Sequence, residues 1–345
     1  MYSEVKPVSK YYVNTANLKN GMLLTISLYV VILLSAGRKA YGQDALFSQF
    51  YANPLYLNPA FAGADRCTRV IFNYRNQPFP TFGTFSTYSF SADTYLERVS
   101  GGLGVNLIHD QQAGLLSHTQ AGIFYAWQGR LSRDWYINLG MQVSYINFRM
   151  NTENLVFPDQ HNPFGQGYNL SGESLNDAMS SHNADFSTGV LVYNDRFYAG
   201  LAIHHLSQPS IDIFSDENLS SKYSIMMGYD YVPGGRRRTG EERISFSPNI
   251  ITQSQSGFLR FNYGMYAHLS NLTAGVWFRH NLQHPNSLIF TVGLKQVNYS
   301  IGYSYDYSLS GFSTPGGGAH ELGVLLNFNC SGTNMKYRIL NCPSF

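Results

Sequence analysis

From Trp135 to Tyr145 the odd positions are Trp135, Ile137, Leu139, Met141, Val143 and Tyr145, and the even ones include Asn138, Gly140, Gln142 and Ser144. Period-two alternation puts one apolar and one polar or small face on an extended chain. The pattern recurs. Val70, Phe72 and Tyr74 alternate with Arg69, Ile71, Asn73 and Arg75, and Leu259, Phe261, Tyr263 and Met265 with Arg260, Asn262 and Gly264. Tyr299, Ile301, Tyr303, Tyr305 and Tyr307 alternate with Ser300, Gly302, Ser304, Asp306 and Ser308; Leu322, Val324, Leu326 and Phe328 alternate with Gly323, Leu325 and Asn327. A soluble sandwich would carry Lys and Glu on its polar face. Here that face is Gly, Ser, Asn and Gln with a few Arg and Asp, as in a crowded lumen, so the apolar face is read as facing lipid.

Strands are predicted over 67–76, 83–95, 100–110, 116–130, 134–149, 184–194, 196–206, 222–233, 242–254, 257–269, 271–281, 286–295, 297–308 and 318–329. About fourteen strands is an even number, which leaves both barrel ends on the periplasmic side, with short inner turns and long outer loops. The gaps at 131–133, Asp195, Ser270 and Gln296 fall inside and are tight; those at 150–183, 207–221 and 309–317 fall outside and are long. Two gaps fit poorly: 234–241 is a long inner loop, and Gln255-Ser256 a very short outer one. The large outer loop 151–181 reads equally as a solvated lid and as a contact surface for something outside the cell.

Ahead of the strands stands FSQFYANPLYLNPAFAG, Phe47 to Gly63. Pro54 and Pro59 fix their own φ and push Asn53 and Asn58 out of the helical region, which predicts a bent, turn-rich strap. Its aromatics need a surface. The expectation is that Phe47, Phe50, Tyr51, Leu55, Tyr56, Leu57 and Phe61 plug or cap the periplasmic mouth, with Asn53 and Asn58 holding the turns. Upstream, Lys6, Lys10 and Lys19 precede an apolar run from Met22 to Ala36 and the small-residue site Ala40-Tyr41-Gly42, the order of an export signal. The run is short for a spanning helix, so cleavage after Gly42 is expected. The chain then divides into a leader 1–42, a strap 43–66, an all-β transmembrane antiparallel barrel 67–329 and a periplasmic tail 330–345.

Composition narrows the class. Charged residues make up 13% and aromatics 15%, with 26 Tyr and 23 Phe, against about 25% charged in a soluble domain. The net charge of +2 and the absence of a basic stripe exclude a nucleic-acid partner. An exported chain of this kind belongs in the outer membrane, with outer-membrane lipid around it.

Candidate chemistry is thin. His204-His205 with Ser207 is the best catalytic candidate, but adjacent strand residues point to opposite faces and no GxSxG elbow accompanies them. His109-Asp110 and His118 have no partner identifiable from spacing. The His280–His284 pair would converge on a metal only on a helix, and here it crosses a predicted turn. The reading is a non-enzyme without cofactor or metal. Arg69, Arg75, Arg260, Arg279, Lys222, Lys295, Asp110, Asp230 and Asp306 either line a pore or form ion pairs that fill the interior; pairing is expected, because buried charges are usually paired. Cys67, Cys330 and Cys342 all map to the periplasmic rim and allow three disulfide pairings. Cys330 with Cys342, tying the tail back to the barrel, is the expectation.

The strap also carries a resemblance. Phe47-Ser48-Gln49, Asn53-Pro54-Leu55, Leu57-Asn58-Pro59-Ala60 and Ala62-Gly63, followed by Asn73-Tyr74-Arg75-Asn76-Gln77 and the ending Cys342-Pro343-Ser344-Phe345, resemble the PorP/SprF family of type IX secretion membrane proteins. Phe61 departs from the tyrosine more often expected there. The resemblance implies an outer-membrane component of the type IX secretion and gliding apparatus. Such a component would contact machinery proteins and assist secretion or surface anchoring of large adhesin cargo, with no assigned enzymatic activity. The alternative is a plugged-barrel transporter for hydrophobic small molecules, in which the strap moves.

Overall fold

A computed structural model describes residues 44–79, 83–151, 179–211, 218–233, 244–282, 286–309 and 318–328. The expected leader and tail lie outside these residues. Fourteen antiparallel strands form one closed barrel: β1 (Thr68–Phe79), β2 (Gly83–Leu96), β3 (Gly101–Gln112), β4 (Leu116–Arg130), β5 (Tyr136–Met150), β6 (Met179–Tyr193), β7 (Phe197–His204), β8 (Lys222–Tyr229), β9 (Ile244–Gln255), β10 (Phe258–Leu269), β11 (Leu272–Asn281), β12 (Ser287–Lys295), β13 (Tyr299–Ser308) and β14 (Ala319–Phe328). Each strand pairs with its sequence neighbours, and β1 closes on β14 with Thr68 opposite Phe328. Closure leaves no edge strand, the condition for a sheet to sit in hydrocarbon.

The alternation follows the expected parity. In β5, Leu139, Met141, Val143 and Tyr145 are exposed while Asn138, Gln142 and Ser144 are buried. In β13, Tyr299, Ile301, Tyr303 and Tyr307 face out while Ser300, Ser304 and Asp306 face in. The outward rows make a continuous apolar wall, the lipid-facing surface of an outer-membrane barrel.

Of the two awkward gaps, 234–241 lies outside the described residues. The Gln255 gap is a tight outer turn in which Ser256 and Gly257 both take positive φ, 52° and 79°, the geometry that joins two strands through two residues. At the inner end, β8 ends at Tyr229 and β9 begins at Ile244. The large outer loop is shorter than expected at its far side, because β6 begins at Met179 and pairs with β5 back to Met150.

One expectation about the interior needs correcting. Several inward positions are large and apolar: Ile71, Ile108, Phe124, Ile146, Leu191, Met226, Ile251, Trp277 and Ile289 are all buried. Phe124, Leu191, Met226, Ile251, Trp277 and Ile289 form a core inside the barrel together with Phe50, Leu55, Leu57 and Phe61 of the N-terminal segment.

Ile123, at the middle of β4, is 67% exposed on the outer wall. Ile123→Arg is expected to cost roughly 2–4 kcal/mol, because a cation at the bilayer midplane is poorly solvated, while Leu131→Arg in the inner turn should cost about 0–1 kcal/mol. Guanidinium unfolding of the refolded barrel in lipid vesicles measures both. Equal costs would mean the outer wall does not face hydrocarbon.

Candidate functional site

Residues 44–66 run inside the barrel as three short turns. Phe50–Ala52 is a 3-10 turn, α1 (Pro54–Leu57) is a single helical turn, and Pro59–Phe61 is a second 3-10 turn. Each proline occupies the first turn of its element, where its missing N–H costs nothing. Asn53 and Asn58, each ahead of a proline, take non-helical backbone (φ −140°, ψ 60° and φ −159°, ψ 123°). Asn58 holds its turn as expected: its side chain accepts from Ala60 N at 2.9 Å and donates to the Val190 and Leu201 carbonyls. Asn53 does not cap its helix; its amide donates instead to Ser89 Oγ on β2.

The segment is not confined to the inner mouth, as the sequence suggested, but runs the length of the lumen. Asp44 lies at the outer end, beside His205 just after β7, Lys222 at the start of β8 and Gln255 at the end of β9. Gly63 lies near the inner end, beside Asp93 of β2 and Gln128 of β4. Phe47, Pro54, Leu55, Leu57, Pro59 and Phe61 are buried, as are the polar Ser48, Gln49, Asn53 and Asn58. Tyr56 is half-buried, with its hydroxyl donating to the Ala45 carbonyl at 2.6 Å and the Lys222 ammonium over its ring.

Barrel side chains take up the backbone groups that the short turns leave open. Glu321 accepts from the amides of Ser48 at 2.6 Å and Gln49 at 3.2 Å, and Asp93 accepts from that of Gly63 at 2.8 Å. Arg279 donates to the Phe47 carbonyl, Asn73 to Ala52, Asn138 to Ala60, and Arg69 to Phe61. Two wall glycines allow the close approach. A Cβ at Gly102 would fall well inside contact distance of the Ala62 carbonyl, and one at Gly140 would meet the Ala60 amide nitrogen.

Of the expected charges, Arg69, Arg75, Lys222, Arg279 and Asp306 form ion pairs, whereas Asp110 bonds Thr87 and Gln112, and Lys295 is exposed rather than inward. Asp306 holds Arg279 at 2.7 Å, Arg75 at 3.0 Å and the Ser48 hydroxyl at 2.7 Å, while Arg75 also lies 3.5 Å from Glu321. Two guanidiniums thus meet two carboxylates around Ser48. Lower down, Arg69 bridges Asp65 and Asp93. Asp93, Glu321 and Asp185 were absent from the expected set of luminal charges, although strand parity places Glu321 in step with the inward Gly323 and Leu325.

His204 and His205 are both buried, against the rule of opposite faces, because β7 ends at His204 and His205 turns inward with φ 58°. The His205 ring lies between two carboxylates, Nδ1 2.9 Å from Asp185 and Nε2 2.9 Å from Asp44. The Ser207 hydroxyl donates to Asp185 rather than to a histidine. The Ser207 hydroxyl thus meets a carboxylate and not an imidazole, and both ring nitrogens of His205 are engaged by carboxylates, which is not the serine–histidine arrangement of an activated nucleophile. His204 Nε2 lies 3.2 Å from the Leu57 carbonyl, and His118 stacks on Phe148. His280 bonds Asn286; its HxxxH partner His284 lies outside the described residues. Among the described residues no His, Cys, Asp and Glu cluster could hold a metal.

Cys67 is disulfide-bonded; Cys330 and Cys342, the expected pair, lie outside the described residues. The bridge begins at the seam, since Cys67 precedes Thr68, the first β1 residue paired with β14.

Together these features define a class: a closed fourteen-strand antiparallel barrel of the outer membrane. The chain belongs to the PorP/SprF family, described as type IX secretion system membrane protein, whose model matches residues 39–326. Solved structures similar in fold include a Pseudomonas aeruginosa FadL homologue (10% identity, TM-score 0.42, covering 84% of this chain and 100% of that one) and Omp33 of Acinetobacter baumannii (9% identity, TM-score 0.40, covering 77% and 100%). No curated protein matches the chain.

Burial pushes the Asp44 carboxyl up, but the neighbouring His205 and Lys222 charges outweigh it and hold the group well below the ordinary carboxylate range. Burial likewise lowers the His205 imidazole, yet the Asp44 carboxylate and the bond to Asp185 raise it to about 9. The histidine's contribution is complete below its ordinary value of about 6.5 and is lost as pH rises through about 9. That of Asp44 is present above its ordinary value and is lost only as pH falls through the lowered one. Protection of the amides of residues 44–46, measured against the intrinsic base-catalysed exchange rate, should therefore hold at neutral pH and fall above about 9; protection unchanged across that range would remove His205 from the contact. Asp306→Ala, which leaves Arg75 and Arg279 short of a counter-charge, is expected to cost about 3–5 kcal/mol in denaturant unfolding.

Proposed function

We propose that the barrel is a sealed, non-enzymatic anchor of the type IX secretion and gliding apparatus, which assists secretion or surface attachment of large adhesin-type cargo by protein contacts rather than by conducting solute. Family membership supports the apparatus. The sealing rests on one observation: the N-terminal segment is bonded to the wall from Asp44 to Gly63, through Ser48, Gln49, Asn53, Asn58 and the backbone of its turns.

A mobile plug would need a weak, hydrated interface, from which ion pairs can part at little cost. Here Asp44 of the segment is paired with Lys222 and His205 of the wall, all three almost fully buried, and withdrawing it strands charges on both sides. The segment is therefore a fixed part of the wall. What remains to meet partners is the outer loops and the periplasmic turns, the surfaces facing cargo outside and machinery inside.

Planar-bilayer recording tests this. Wild-type protein is expected to pass no steady current, and a stable open level in the unmodified barrel would favour the transporter of hydrophobic solutes. Pro54→Ala with Pro59→Ala should loosen the segment and raise conductance or protease cleavage within residues 44–66; unchanged behaviour on both would make the strap an ordinary linker. Crosslinking in intact cells should recover secretion components or an exported surface protein, and recovery of neither would sink the assignment.

A further inference from the structure

We infer that the mature N-terminus is presented at the cell-surface mouth of the barrel, so that the strap descends through the lumen from outside to inside before β1 begins. The order of its contacts carries this. Asp44 bonds residues at the outer limits of β7, β8 and β9. Ser48 and Gln49 meet Asp306 and Glu321, which lie near the outer ends of β13 and β14. Ala52 and Asn53 meet Asn73 and Ser89, further down β1 and β2. Ala60 meets Asn138 and Gly63 meets Asp93 and Gln128, all near the inner turns.

The two ends of the barrel are distinguished by their connections. At the end where Gly63 lies, every connection but β8–β9 is a short turn; the other end has the long connections β5–β6, β7–β8 and β13–β14 beside four short ones. Long loops face the exterior in bacterial barrels. Residue 44 is thus on the exterior side, although the same chain continues into a strand that starts at the periplasmic rim.

Two consequences follow. The expected cleavage after Gly42 would leave a terminus of two residues, Gln43 and Asp44, at the mouth, beside the 205–211 segment where His205 and Ser207 meet Asp185. That terminus becomes part of the surface open to an exported partner. A leader still joined to Asp44 would have to leave through the cell-surface end, so its removal precedes closure of the barrel around the strap.

The test is topological and independent of conductance. A short epitope inserted between Gln43 and Asp44 of the full chain is expected to bind antibody on intact cells as strongly as on permeabilised ones. The heat-dependent mobility shift of the barrel shows that the variant folds. Should the insertion block folding, Ala45→Cys replaces it: labelling by a membrane-impermeant maleimide on intact cells should exceed the wild-type background several-fold. Signal seen only after permeabilisation, or in neither state, overturns the inference for either variant.

Discussion

A closed lumen filled with protein holds little water, so the backbone of any chain inside it must find its hydrogen bonds in the wall. The N-terminal segment is too short and too broken by proline to satisfy itself. Its three turns leave open the amides of Ser48, Gln49 and Gly63 and the carbonyls of Phe47, Ala52 and Ala60, while that of Phe61 accepts from Ala64 and keeps a second lone pair. Glu321, Asp93, Arg279, Asn73, Asn138 and Arg69 take up these groups one by one. An unpaired buried polar group costs about 1–3 kcal/mol. The set of inward side chains is therefore constrained by the segment as much as by the barrel.

This accounts for the odd chemistry of the interior. The luminal arginines and carboxylates are arranged to hold a chain and to cancel one another: two guanidiniums against Asp306 and Glu321 around Ser48, and one against Asp65 and Asp93 near Gly63. Between these polar levels lie Trp277, Phe124, Leu191 and Met226, packed with Phe50, Leu55 and Leu57. The lumen alternates bands of charge and hydrocarbon, as the segment does. The same histidines that suggest an enzyme in the sequence are spent on this task, His205 gripping Asp44 and His204 meeting Leu57.

Much of the fold was legible because alternation has a simple cause. Successive side chains of a strand point opposite ways, and in a barrel one way is lipid. That rule placed Leu139, Met141 and Val143 outside and Asn138, Gln142 and Ser144 inside, and it located fourteen strands with boundaries off by a few residues. It also contained Glu321, whose parity is inward. It failed where a strand stops: His205 breaks the alternation by taking a left-handed backbone conformation, which brings both histidines inward. It also read the inward face as polar, because Ile289 and Trp277 look the same in sequence whether they meet lipid or a buried segment.

By itself the sequence determined a lipid-facing barrel, a proline-bent strap ahead of it and the family to which both belong, since periodicity, proline geometry and a local motif are properties of neighbouring residues. Only the tertiary structure decided that the strap traverses the lumen rather than capping one mouth, that Asn53 serves Ser89 instead of its own turn, and that Cys67 takes part in the disulfide. Each of these joins residues far apart in the chain, Asp44 to Lys222 or Ser48 to Asp306. Such pairings are set by which strands closure makes neighbours and by the depth at which each residue falls, which local pattern does not encode.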